Sequence, residues 1–310
     1  MSKILFKLKN NRFLIIVVLI ISFLTFKSFM KYFNEYHFGY AKWYYEMIEV
    51  CKVDSESDEC KQFEIYERGN PKEIMAKLDT ISLASEAIEM HTFTILHFLG
   101  PLLMIIVSTA SIHREINTGM VRNYMTRMNY KSYLKRIFLS SIKYAWLFPL
   151  TIVIIVLISG YITNFNFVID NEKIGVSYYS EYRYNNYFIY TFLMCVILFL
   201  HSVFHSNLGL ICCKKNKNFI VSVISSYMLF TLINLFFYIV VGGLFVFRFL
   251  GINDLGDYFS LTGYWFFRDK PDYILIFVIT LFLVIVSYIF LYLVYRKKEG
   301  VLMENEKNNS

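Results

Sequence analysis

Several motifs that would have defined a catalytic protein are missing from this 310-residue chain. It contains no G-x-x-x-x-G-K-[ST] phosphate-binding loop, so it is not expected to hydrolyse ATP itself. It has no H-E-x-x-H motif and no Glu-Glu pair, which removes the best-known zinc-protease arrangements. There are only 5 cysteines, and none has metal-site spacing. No small-residue cleavage site follows the first apolar stretch, where large residues dominate from Phe23 to Phe33. That stretch is therefore read as an uncleaved span, although Lys3, Lys7, Lys9 and Arg12 precede it. No internal repeat is visible. Lys and Arg exceed Asp and Glu by 31 to 24, but they form no single basic stripe, so nucleic acid is not an expected partner.

What the chain does have is long apolar runs. Hydrophobic residues make up 56% of the sequence and aromatic residues 19%. Six runs, at 13–30, 92–112, 137–163, 187–212, 219–249 and 273–295, reach the roughly 20 residues needed to cross a bilayer. The expected fold is an all-α polytopic membrane protein, a single transmembrane domain over residues 1–310 with membrane lipid as its solvent.

Charge alternates between the intervening segments. Residues 1–12, 112–136, 213–218 and 296–310 carry +4, +5, +3 and +1, whereas 31–91, 164–186 and 250–272 carry −6, −1 and −2. The positive-inside rule then predicts both termini in the cytoplasm of a cell-membrane protein. It also predicts a roughly 60-residue extracellular region, 31–91, after the first span. That region is too small for a well-buried core of its own and is expected to pack on the outer ends of the spans. It opens with interfacial Tyr32, Tyr36, Tyr40, Trp43, Tyr44 and Tyr45, and Asn70-Pro71 marks a helix start.

Cys51 and Cys60 flank an acidic run of Asp54, Glu56, Asp58 and Glu59. An exported pair at this spacing either closes a disulfide or stays as two thiols in a loop. Cys195, Cys212 and Cys213 are expected to be reduced. The segment 250–272 holds a second aromatic run and predicts a short helix in, or dipping into, the outer leaflet. Gly100-Pro101 interrupts the second span, where proline removes a backbone donor.

The most informative short segment is 112–136. It breaks at Gly119, and then Met120, Val121, Tyr124, Met125 and Met128 recur at helical spacing. An amphipathic helix results, lying on the membrane or inserted into a groove of a cytoplasmic partner. A basic stretch, Tyr130–Arg136, leads into the third span. In this order of Glu115, Thr118-Gly119, Met120–Met128 and Lys131–Arg136, the chain resembles the permease subunits of type-2 ABC exporters.

That resemblance implies a coupling loop, Glu115, Thr118, Gly119, Met120, Val121, Tyr124, Met125 and Met128, docking on a separate ABC ATP-binding subunit. ATP and Mg would be bound by that partner, with no cofactor on this chain. It further implies a dimer of identical or related permeases, exporting an amphiphilic or peptide-like substrate.

Polar groups inside spans are functional candidates by default. Lys27 and Lys143 are placed to snorkel. Asn234 either bonds helices together or lines a route. His201 and His205 share a helix face at i, i+4, a spacing that permits packing, hydrogen bonding or metal. Two other functions stay open. One is a sensor or immunity protein whose acidic outer loop binds cationic peptides, as in antimicrobial peptide resistance. The other is an intramembrane enzyme using the two histidines.

Overall fold

The computed structural model describes residues 12–32, 46–47, 49–53, 60, 80–89, 91–167, 186–249, 256–264 and 273–296. All regular structure among them is helical: α1 (Arg12–Tyr32), α2 (Thr80–Glu89), α3 (His91–Asn117), α4 (Met120–Arg127), α5 (Tyr130–Lys143), α6 (Leu147–Ile162), α7 (Tyr187–Lys215), α8 (Phe219–Leu235) and α9 (Tyr273–Tyr295). A π-helical stretch, Phe236–Phe249, continues α8, and two 3-10 turns follow at Gly256–Phe259 and Leu261–Tyr264.

Among the described residues, six segments are long and apolar enough to cross a membrane: Arg12–Lys31, Phe98–Asn117, Tyr130–Ile162, Tyr187–Lys215, Phe219–Arg248 and Tyr273–Tyr295. They overlap the six runs read from the sequence, with two shifts, the first being that the second segment continues to Asn117, into the stretch read as a loop. The third helical segment starts at Tyr130, so the basic stretch read as a lead-in is already helical. Lys131 and Lys135 face outward there while Tyr133 and Ile137 are buried, so the charges ride on the exposed face of a regular helix. Within this segment the chain turns at Tyr144–Trp146 before α6.

The chain divides into two compact units. One comprises 1–21, 95–152 and 186–310. Its centre is α7, which packs on α9, α8 and α5. Every residue from His201 to Leu210 is buried, as expected of a helix enclosed on all sides. Gly209 makes the approach of α3 close, because a Cβ there would lie 2.5 Å from Thr109 Cγ2.

Helices α7 and α9 run in the same direction. The Tyr190 and Tyr273 rings are 5.8 Å apart at one end, Asn207 Nδ2 donates to Ser287 Oγ at 2.9 Å in the middle, and Lys214 Nζ donates to the Val294 carbonyl at 2.7 Å at the other end. Two spans separated by one intervening crossing must be parallel, so this pairing fits alternate crossings.

The second unit comprises 22–94 and 153–185. In it α2 packs against the ends of α1 and α6. Ser28 Oγ donates to the Ala87 carbonyl at 2.5 Å, the hydroxyls of Thr80 and Thr163 lie 2.6 Å apart, and Thr80 N donates to the Asn166 carbonyl at 2.8 Å. Leu83, Ala84 and Ala87 are fully buried in this contact. For residues 80–89, the expectation that the region after the first span packs on helix ends is met. The Asn70-Pro71 start signal and the aromatic run from Tyr36 to Tyr45 lie outside the described residues.

Candidate functional site

The ends of six helices, α1, α3, α5, α7, α8 and α9, gather at one end of the first unit. Asn117 Nδ2, closing α3, donates to the Lys217 carbonyl in the α7–α8 turn at 2.8 Å. The Phe219 ring packs tilted against Phe13 at 5.2 Å and edge-on against His113 at 5.4 Å. Tyr130, opening α5, donates from its hydroxyl to the Tyr295 carbonyl. Residues that the charge pattern assigned to one side thus meet at one end.

Helix α4 sits in the middle of this assembly. Thr118 satisfies the exit of α3 twice, N to the Arg114 carbonyl at 3.0 Å and Oγ1 to the same oxygen at 2.7 Å. Gly119 then reverses the chain in the left-handed region, at φ 71°. Any β-carbon is disfavoured there by about 1–2 kcal/mol. Gly119→Ala is therefore expected to lower the thermal midpoint of the purified protein, and Gly119→Asn to lower it less. Met128 N closes α4 on the Tyr124 carbonyl at 2.9 Å, and the extended Asn129 starts α5.

The apolar stripe of α4 is divided between two directions. Val121 is fully buried in a cluster with Ile112, Ile116, Tyr133, Ile137 and Tyr295, and Met128 packs against that cluster. Met120 is 40% exposed, and Asn123, Thr126 and Arg127 are also outward. The Met125 side chain lies outside the described atoms. Val121 and Met128 thus anchor the helix, and among the described side chains of the stripe Met120 is left to meet something else.

Arg136 locks this arrangement. Its guanidinium pairs with the Glu115 carboxylate of α3, and its Cζ lies 4.3 Å from the Tyr124 ring centre of α4. One side chain of α5 thereby holds the helices on either side of Gly119. Glu115 Oε2 and the Tyr133 hydroxyl beside it are buried with no hydrogen-bond partner among the described residues. Glu115 was legible as a candidate. Arg136 stood only in the basic run, and a pair between α3 and α5 gives no local sequence signal.

The other candidates are dispersed. His201 and His205 are fully buried, with ring centres 4.6 Å apart. Phe230 of α8 packs edge-on against both rings, at 6.3 and 4.4 Å. No cluster of three His, Cys, Asp or Glu fit for a metal exists among the described residues. Asn207, which the sequence reading passed over, carries a buried side-chain contact from α7 to α9, and Ser141 and Tyr288 join hydroxyls at 2.9 Å nearby.

Asn234 bonds backbone: its Oδ1 accepts from Leu261 N at 2.7 Å and Thr262 N at 3.4 Å. The expected bond between spanning helices is replaced by one to the first amides of the second 3-10 turn. The short segment 256–264 thus reaches the level of Asn234, well inside the fifth apolar segment.

Cys51 and Cys60 are joined in a disulfide, with Cα atoms 5.3 Å apart. Cys195, Cys212 and Cys213 are free thiols. The loop closed is short, so removing the bridge costs about 2–3 kcal/mol by chain entropy. Cys51→Ser/Cys60→Ser should lower the thermal midpoint of the oxidised protein and leave that of the reduced protein unchanged.

Compared with known protein families, with curated proteins and with solved structures, the chain matches none of them.

Proposed function

We propose that this chain is the permease subunit of an ABC exporter in the cell membrane, with both termini and α4 on the cytoplasmic side. In this reading a separate ATP-binding subunit docks on α4 and hydrolyses ATP. A dimer of identical or related permeases then moves an amphiphilic or peptide-like substrate outward. The observation that carries the reading is the mounting of α4. A short helix with an exposed outer face is clamped to α3 and α5 at the end where the basic segments 112–136 and 213–218 meet. A push on such a helix reaches two spanning segments at once instead of dissipating in a loop.

Exposed Met120 and Arg127, with Asn123 and Thr126 between them, offer an apolar contact ringed by polar groups, the composition of a docking face. A photo-crosslinking residue at Met120, introduced in native membranes, should capture a soluble chain carrying a phosphate-binding loop. The same residue at Leu150, exposed on α6, should not. Capture of lipid alone at Met120 would remove the reading.

The disulfide favours a second role that is compatible with the first. It ties the acidic run Asp54–Glu59 into a closed loop. We infer that this loop binds cationic peptides outside the cell. Salt-dependent binding that disappears when the four acidic residues are replaced by their amides, or by Ser, would support it. Binding indifferent to both changes would exclude it.

A further inference from the structure

A cavity of about 440 Å³ opens between α7, α8 with its π-helical continuation, and α9. Its floor is Phe204, Leu208 and Leu283, and its lip is Leu232, Phe282 and Phe290, which are more than half exposed. The volume is in the range of small-molecule sites, about 300–1,000 Å³. The lining has one polar side chain, Ser287, whose hydroxyl already accepts from Asn207 and donates to the Val284 carbonyl at 2.8 Å. Such a cavity holds no stable water. In a bilayer, its contents must be hydrocarbon.

Position identifies which hydrocarbon. The cavity runs along α7 from Phe204 to Ile211, and Lys215 follows one turn later on the same face. Phe204 to Lys215 spans about 16 Å of helix, close to half of a roughly 30 Å hydrocarbon core. Lys215, Lys217 and Arg296, all exposed, stand at the same end of α7 and α9 beyond the cavity, with no acidic residue in 213–218. Basic groups at the end of an interhelical groove favour anionic head groups.

We propose that this cavity is a lipid site, holding one acyl chain of an anionic phospholipid with its head group at Lys215 and Lys217. The site stands whether or not the chain is an exporter. The test uses the full chain in mild detergent, offered phosphatidylglycerol and phosphatidylcholine with identical acyl chains, and read by native mass spectrometry. One phosphatidylglycerol per chain should be retained, about tenfold over phosphatidylcholine.

Leu232→Trp at the lip should reduce retention of both lipids, and Lys215→Gln/Lys217→Gln should abolish only the preference. Neither position is buried, so both variants should fold, and unchanged thermal midpoints check that. No retained lipid in the unaltered chain, or retention untouched by Leu232→Trp, would overturn the site. So would a switch from dimer to monomer in Leu232→Trp with lipid unchanged, which would make the groove a contact between copies.

Discussion

Arg136→Ala is expected to cost about 3 kcal/mol of stability and to disconnect α4 from the spans. The larger part of that cost is the carboxylate of Glu115, left 94% buried without its paired cation and with only the weaker attraction of Arg114 and Lys143. The smaller part is the cation over Tyr124. Two variants separate these contributions. Arg136→Lys keeps a charge for Glu115 but loses the planar fork, so it should recover part of the stability and little of the stacking. Glu115→Gln combined with Arg136→Ala removes the stranded charge, so the double variant should be more stable than Arg136→Ala alone.

A purely structural role would show only in the unfolding midpoint. The clamp also predicts that amide exchange in residues 118–129 quickens selectively in Arg136→Ala while α7 keeps its protection. Equal loosening throughout the first unit would contradict a clamp.

Asn234→Leu carries the second large effect, again about 3 kcal/mol. Its side-chain oxygen is the acceptor for two backbone amides of a 3-10 turn at the depth of an apolar span. Irregular backbone at membrane depth persists only when protein groups satisfy it. Leucine fills similar space and leaves Leu261 N and Thr262 N without that oxygen. The segment 256–264 should then lose amide protection, whereas Leu235→Ala, altering an exposed neighbour on the same helix, should leave it intact. If Asn234→Leu is as stable as the unaltered chain, the segment is held by packing of Leu261 and Tyr258 alone.

The six spans were readable because length and hydropathy act locally: about 20 apolar residues are visible wherever they occur. The break at Gly119 was readable for the same reason, since a residue without a β-carbon announces a left-handed turn. What sequence could not supply was direction and partner. Val121 and Met120 look alike in a stripe, yet one points into the Tyr133–Tyr295 cluster and the other outward.

Arg136 looks like its basic neighbours until α3 brings Glu115 beside it. Asn207 reads as an ordinary polar residue until α9 places Ser287 against it, 80 positions away. For Asn234, a need for hydrogen bonding was evident, and the aromatic run in 250–272 marked a segment dipping toward the membrane, but no local pattern pairs the two across 27 positions. The start of the third segment was misplaced because its lysines lie on the exposed face of a helix, where charge and helical structure coexist.

The central claim is that α4 is a docking helix for an energy-supplying chain. The most direct measurement is gentle purification of the chain from native membranes, with mass spectrometry of what accompanies it. The account predicts a stoichiometric soluble protein bearing a phosphate-binding loop, lost from Met120→Glu and retained by Leu150→Gln. A well-folded chain that emerges without any such partner would contradict the account.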